Sequence, residues 1–119
     1  MRRILLFAYG TLLDRRVQRR VFGRTPATVV ARLENWTVRR RAVRGRYPGI
    51  APARGRMTLG RVLDLATGEL RRADTYEDAP HLYRRRRVRV RLAGGTAPCW
   101  VYVPTVRAVP ELPEAANRR

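Results

Sequence analysis

The sequence predicts an α+β protein, a small and mostly antiparallel sheet or barrel with two short helices. Strand-like runs dominate its 119 residues, and only two stretches have a helical pattern. Alternating strand–helix–strand units are absent, which disfavours a doubly wound parallel sheet. The length suits one hydrophobic core, so we expect a single domain over residues 1–119 with an irregular tail over 104–119.

The first elements are a strand and a short helix. Residues 4–9 form an apolar run that predicts a buried strand. Asp14 is a favourable N-cap for the following helix, because its carboxylate can accept from the first free N–H groups. Gly23 predicts the end of this helix.

The middle of the chain predicts further strands. We expect one strand over residues 27–33 and another over 36–43. The Gly- and Pro-rich segment 45–55 predicts a loop. A strand is expected to resume over 58–65, and residues 66–69 resemble a turn.

The last part predicts a helix and a hairpin. A short helix is expected from Leu70 to Asp78, ended by Pro80. Residues 87–92 alternate arginine with apolar side chains, which predicts a half-buried strand with its arginines outward. A turn over 93–96 then leads to a return strand over 97–103.

Charge is the most extreme property of the composition. The net charge is +18, and all 27 basic residues are arginines. This favours either a solvated, arginine-coated surface or a field that attracts anions, such as nucleic acid or acidic small molecules. Few aromatic residues (8%) and no recognised nucleic-acid motif disfavour a specific nucleic-acid partner.

Other classes are excluded by what the sequence lacks. No apolar run is long enough to cross a membrane, so we expect no membrane partner. A single cysteine, Cys99, excludes an internal disulfide framework and a cysteine-based zinc site, and it reads as a small core residue. A cytoplasmic location fits best.

Two short segments are candidates for a site. Tyr9, Gly10, Thr11 and Leu12 lie where the first strand turns into a helix, so they form either an ordinary turn or a loop whose backbone N–H groups hold a charged ligand. Glu77 either pairs with a surface arginine or serves as a general base.

Several short motifs follow one another along the chain in the order that a known family has. With them the chain resembles the γ-glutamylcyclotransferase family, more narrowly the branch of γ-glutamylamine cyclotransferases and AIG2-like proteins. The resemblance covers about residues 4–104 and rests on YGTL (9–12), YPGI (47–50), GRVLDL (60–65), DTYE (74–77), PHLYRR (80–85) and WVYV (100–103).

The resemblance implies a small β-barrel with flanking helices and a cyclotransferase that needs no metal or organic cofactor. It implies that the loop from Tyr9 to Leu12 binds the amino-acid end of the substrate and that Glu77 is the acid/base. Tyr83 and Arg85 match a motif near the family's site, although core packing for Tyr83 and a surface position for Arg85 are equally open.

Four further positions are interpreted structurally. Tyr47 and Pro48 could form the rim of a site, but a structural loop is favoured. Trp100 and Tyr102 are expected in the core. His81 is interpreted as incidental, because no partner acid is implied for it.

The chemistry of a γ-glutamyl group suits these residues. Its own α-amine can attack the γ-carbonyl, so one carboxylate can move the proton from this amine to the leaving amine. We therefore expect release of 5-oxoproline from a γ-glutamyl amine or γ-glutamyl-tagged metabolite. The alternatives are a non-catalytic binding module of the same fold and an arginine-rich nucleic-acid-binding protein.

Overall fold

Five strands form a closed, mostly antiparallel barrel in the computed structural model, which describes residues 3–105. The elements are β1 (Ile4–Ala8), a 3₁₀ helix (Thr11–Leu13), α1 (Arg15–Phe22), β2 (Thr28–Val43), β3 (Tyr47–Leu65), α2 (Thr67–Glu77), β4 (Tyr83–Leu92) and β5 (Gly95–Pro104). The strand order is β1-β3-β2-β4-β5, and β5 closes the barrel beside β1 in parallel. This confirms the predicted α+β class.

The expected pair of strands over 27–33 and 36–43 is a single strand, β2. Asn35 has a φ of 70°, and the register with β3 shifts between Glu34 and Trp36. An extra residue at this point makes a β-bulge, which bends the strand without ending it. The polar asparagine tolerates the left-handed conformation that the bulge requires.

The predicted loop over 45–55 is wrong, because most of this segment belongs to β3. The chain reverses in a tight turn in which Arg44 and Gly45 have φ values of 55° and 65°, a turn geometry that matches the twist of a hairpin. Pro48 and Pro52 lie where the β2–β3 register is irregular. At such places a strand tolerates the missing N–H of proline.

The caps predicted for α1 are confirmed. The Asp14 carboxylate accepts from the Arg16 amide at 2.7 Å, and Gly23 ends the helix with a φ of 77°. The second helix begins earlier than expected, because Glu69 accepts from the Ala66 amide at 3.0 Å and so caps the start of α2. The predicted turn over 66–69 is therefore wrong, and the helix runs to Glu77 before the chain reaches Pro80.

Apolar side chains form two clusters, one inside the barrel and one between the barrel and the helices. β1 contributes to both, since Phe7 points into the barrel whereas Leu6 and Ala8 face the helices. The β4–β5 hairpin has the predicted alternation, with Val90 and Val101 buried and its arginines outward. β1 thus runs between the two clusters, and its end opens directly onto the layer between barrel and helices.

The irregular tail predicted over 104–119 begins later than expected, because Pro104 is the last residue of β5. Residues 106–119 lie outside the described residues. Among residues 3–105, no helix is long and apolar enough to span a membrane.

Replacing Gly60 by Ala should destabilise the barrel. A Cβ at this position would lie 2.3 Å from the Ala8 carbonyl oxygen and 2.7 Å from Cζ of Phe7, so β1 and β3 would have to separate. We expect the free energy of unfolding to fall by at least about 1–3 kcal/mol, measured by urea unfolding.

The matched control is Gly68→Ala, because no atom lies within 4 Å of its added Cβ and alanine favours a helix. Equal stability of the two variants would contradict the close approach of β1 to Gly60.

Candidate active site

The cavity and its loop

A cavity of about 240 Å³ opens where the end of β1 meets the end of α2 and the starts of β3 and β4. It lies against the layer between barrel and helices. The lining is mostly aromatic and aliphatic, and Glu77 is its one acidic residue. Its residues are Phe7, Ala8, Tyr9, Gly10, Thr11, Leu12, Tyr47, Pro48, Tyr76, Glu77, Leu82, Tyr83 and Tyr102.

The loop after β1 presents backbone donors beside this cavity. The first hydrogen bond of the 3₁₀ turn runs from the Leu13 amide to the Gly10 carbonyl at 3.0 Å. The amides of Thr11 and Leu12 precede this bond and have no acceptor within the turn. The Leu12 side chain is buried in the core, which anchors the loop and fixes its backbone.

Gly10 is needed because the loop packs closely on β3. A Cβ on this residue would lie 2.9 Å from Cγ of Pro48. A side chain here would displace either the loop or the proline, and both line the cavity.

The unpaired carboxyl

Glu77 ends α2 with its side chain half-buried in the cavity. Within residues 3–105 it makes no hydrogen bond and no ion pair. Every other acidic side chain in that range has a basic partner: Asp14, Glu34, Asp64, Glu69 and Asp74 each pair with an arginine, and Asp78 pairs with His81.

Burial without a partner has an electrostatic consequence. The charged carboxylate loses hydration and gains no compensating cation, which raises the pKa of Glu77 to about 7. A carboxyl with this pKa can both take up and release a proton near neutral pH.

The tyrosines around it

All five tyrosines of the chain line this cavity. Three of them donate their hydroxyl protons to protein acceptors: Tyr9 to the Tyr102 carbonyl at 2.7 Å, Tyr83 to the Pro48 carbonyl at 2.7 Å and Tyr102 to Oδ1 of Asp74 at 2.6 Å. Burial raises the pKa of each of the three, and the nearby charge of Glu77 raises it further. These hydroxyls therefore stay protonated in the cavity that holds the carboxyl.

The cavity mouth joins the loop to α2. The hydroxyls of Thr11 and Tyr76 are hydrogen-bonded at 2.7 Å. Tyr47 and Tyr76 are the exposed aromatic side chains there, at 41% and 37% exposure. An aromatic rim of this kind can contact a planar or alkyl group that leaves the cavity.

Where the expected residues lie

The structure brings most of the expected site residues together, since the loop from Tyr9 to Leu12, Glu77 and Tyr83 line one cavity. Arg85 is not brought to this cavity. The Arg85 Nε donates to Oδ1 of Asp74 at 2.8 Å, and the Arg85 guanidinium stacks over Trp100 with its Cζ 4.6 Å from the ring centroid. These two contacts hold the Arg85 side chain outside the cavity lining.

Sequence reasoning missed part of the lining. The sequence favours a structural loop for Tyr47 and Pro48, but both residues line the cavity and belong to β3. Tyr102 is buried as expected, yet it lines the cavity as well, and so does Tyr76, which the motifs do not mark as a site residue. The signal available in the sequence was compositional, because the chain has few aromatic residues and its tyrosines recur beside the motifs.

Two other expectations concern residues away from the cavity. His81 is not part of the lining, as expected. It does have an acidic partner that the sequence did not imply, since its Nδ1 lies 3.5 Å from Oδ1 of Asp78. Cys99 is buried in the barrel interior, as predicted, and burial raises the pKa of its thiol to about 12. Among residues 3–105, no His, Cys, Asp and Glu side chains form a group that could hold a metal ion.

Comparison with known proteins

The fold and the cavity define a class of protein, a small β-barrel with a carboxyl in a tyrosine-lined pocket beside free backbone donors. The family model described as gamma-glutamyl cyclotransferase, AIG2-like matches residues 6–118. The chain belongs to this family, which confirms the resemblance in its motifs. No curated protein sequence matches the chain.

Solved structures share the fold. A protein of Arabidopsis thaliana is 27% identical with a TM-score of 0.79, over 94% of this chain and 75% of its own. An uncharacterised protein of Homo sapiens is 24% identical with a TM-score of 0.76, over 88% of this chain and 68% of its own. An AIG2-like protein of Mus musculus is 23% identical with a TM-score of 0.71, over 93% and 82%.

Replacing Glu77 by Gln should stabilise the protein above pH 7. The folded protein binds the Glu77 proton more tightly than the unfolded chain, since the pKa rises from 4.5 to about 7 on folding. The wild type therefore loses stability between these pH values, by on the order of 3 kcal/mol in total. Glutamine carries no charge and avoids this loss.

Urea unfolding at pH 5 and pH 8 tests the expectation. The control is Glu34→Gln, since Glu34 is half-exposed and paired with Arg91 at 3.1 Å, so its neutralisation should not stabilise the fold. A Glu77→Gln effect that is the same at both pH values would show that the carboxyl titrates normally.

Proposed function

We propose that the protein is a γ-glutamyl cyclotransferase that converts a γ-glutamyl amine into 5-oxoproline and the free amine. One observation supports this most strongly: in a chain of net charge +18, the Glu77 carboxyl alone among the described acidic groups lacks a basic partner, and it lies in a cavity beside free backbone amides. A carboxyl without a partner in such a chain is available to exchange a proton with a ligand.

The reaction needs one proton carrier. Glu77, ionised, takes a proton from the substrate's α-ammonium. The freed amine nitrogen attacks the γ-carbonyl carbon, and a five-membered ring closes while the carbonyl oxygen becomes an oxyanion. Glu77 then returns the proton to the leaving nitrogen, the γ-amide C–N bond breaks and the carbonyl re-forms. The ring nitrogen still holds one surplus proton from the former α-ammonium, and Glu77 passes this second proton to the released amine, which leaves as an ammonium ion. Holding the amine against the carbonyl can lower the barrier by about 7–11 kcal/mol.

The amides of Thr11 and Leu12 are the donors for the negative charges of the substrate. No arginine lines the cavity, so the α-carboxylate and the developing oxyanion must be met by backbone N–H groups and hydroxyls. Such donors are fixed in place by the fold and do not reorganise as charge develops. Gly10 keeps the loop close enough to Pro48 for this geometry.

The leaving group extends toward Tyr47 and Tyr76 at the mouth. These aromatic side chains favour an apolar or aromatic amine. The Arg46 guanidinium already lies over the Tyr47 ring, 5.4 Å from its centroid, so a cationic amine would meet a like charge there. A leaving group with its own carboxylate would find no cationic side chain in the lining and would lie near the ionised Glu77. The substrate class is therefore a γ-glutamyl amine and not a γ-glutamyl peptide of the glutathione type.

Replacing Glu77 by Gln should reduce turnover by about 10²-fold or more with the fold intact. In the wild type, kcat/KM should rise with pH through about 7 and then level, because the carboxyl must be ionised to accept the proton. Release of 5-oxoproline from γ-glutamylbenzylamide measures both effects.

The control for this variant is again Glu34→Gln, which removes a carboxylate from the surface ion pair with Arg91. Near-normal turnover by Glu77→Gln, or a wild type that forms no 5-oxoproline from any γ-glutamyl amine, would overturn the proposal.

A matched pair of substrates tests the leaving group. The leaving groups of γ-glutamylbutylamide and γ-glutamyl-4-aminobutyrate are both linear four-carbon chains with the same first three carbons, and the fourth carbon is a methyl group in the first and a carboxylate in the second. We expect kcat/KM to be at least about 10-fold higher for the first. Equal values would show that the mouth does not discriminate against negative charge.

A further inference from the structure

Asp74 organises a set of contacts that the reaction just described does not use. It lies on α2 one helical turn before Glu77. Its Oδ1 accepts from the Tyr102 hydroxyl at 2.6 Å and from Nε of Arg85 at 2.8 Å. Arg85 is itself held over the ring of Trp100, so the carboxylate of Asp74 is fixed from β4 and β5 together.

Tyr102 is held on both sides. Its carbonyl accepts from the Tyr9 hydroxyl at 2.7 Å, and its own hydroxyl proton is given to Asp74. A hydroxyl that donates its single proton to a carboxylate can offer only lone pairs to any other neighbour. Tyr102 lines the cavity, and its hydroxyl lies within range of the charge of Glu77.

The Tyr83 hydroxyl likewise offers only lone pairs to other neighbours, because it donates its proton to the Pro48 carbonyl. Glu77, Tyr83 and Tyr102 line the same cavity, so the carboxyl and the two hydroxyl oxygens can serve there as acceptors. A group that carries several N–H donors and a positive charge suits these acceptors. The α-ammonium of a glutamyl substrate is such a group.

We propose that Asp74 is a positioning residue: by taking the hydroxyl proton of Tyr102, it makes the phenolic oxygen an acceptor that orients the substrate's α-amine toward the γ-carbonyl. This assignment rests on the proposed function. Without Asp74 the Tyr102 hydroxyl is free to turn its proton toward the cavity, where it faces the N–H groups of the amine. Arg85 acts one step further out, by holding the carboxylate of Asp74 in place.

A pair of ligands isolates the α-amine. γ-Glutamylbenzylamide carries it, and glutaric acid monobenzylamide lacks only this group. Binding is measured by calorimetry in a Glu77→Gln background, in which turnover is slowed by about 10²-fold or more. Tyr102→Phe and Asp74→Ala should each weaken the amine-bearing ligand by about 10-fold or more, and should leave the affinity of the deamino ligand within about two-fold.

The double variant Tyr102→Phe/Asp74→Ala should bind the amine-bearing ligand no more weakly than either single variant does, because both substitutions remove the same interaction with the α-amine. Asp74→Asn keeps an acceptor oxygen and should recover part of the affinity. If Asp74→Ala does not fold, Asp74→Asn replaces it in the binding measurements. Glu34→Ala breaks the pair with Arg91, neither of which lines the cavity, and should leave both affinities unchanged.

Equal loss of affinity for both ligands, or no loss for either, would overturn the positioning role of Asp74. If the wild type still released 5-oxoproline, the proposed cyclotransferase function would stand. No binding of either ligand together with no 5-oxoproline from the wild type would overturn the proposed function, and the role of Asp74 with it.

Discussion

The site depends on keeping arginine away from one carboxyl. Arginine side chains are long and flexible, and they occur throughout this chain. A half-exposed carboxylate would therefore ordinarily have a guanidinium group within reach. Around Glu77 the space is filled by tyrosine rings and by the packed loop after β1. The packed cavity wall thus has an electrostatic effect. Its bulk keeps arginine side chains from forming the ion pair with Glu77 that the composition would otherwise favour.

Helix α2 shows how local this exclusion is. Asp74 is bound to Arg85 and Tyr102, and Tyr76 is bound to Thr11. Only Glu77, one residue further, is left without a partner. The contacts of its neighbours hold the last turn of the helix against the barrel, so the free carboxyl is placed by groups that take no direct part in the proposed chemistry. The C-cap at Asp78, in the left-handed conformation, ends the helix immediately beyond it.

The parts of this fold that follow from local rules could be predicted from the sequence. The caps at Asp14 and Gly23 and the alternation in β4 and β5 are such cases, since each depends on a few adjacent residues. The β2–β3 hairpin could not, because Pro48 and Pro52 usually mark loops and only strand pairing reveals that they occupy irregular points in the register.

The candidate site divides in the same way. The glycine loop and Glu77 belong to short motifs that can be recognised in order along the chain. Tyr47 and Tyr102 belong to distant strands, and closure of the barrel alone brings them to the same cavity. Arg85 belongs to a recognisable motif, but the side chains of Asp74 and Trp100 decide where its guanidinium points.

The segregation of the aromatic residues gives the protein two separate optical reporters. Every tyrosine lines the cavity, whereas Trp36 packs in the barrel interior and Trp100 lies between Arg85 and Arg87. Tyrosine absorbance is consequently a spectroscopic record of the cavity, and tryptophan emission is a record of the barrel wall. A titration followed in both channels separates occupancy of the pocket from a rearrangement of the scaffold, without an attached label.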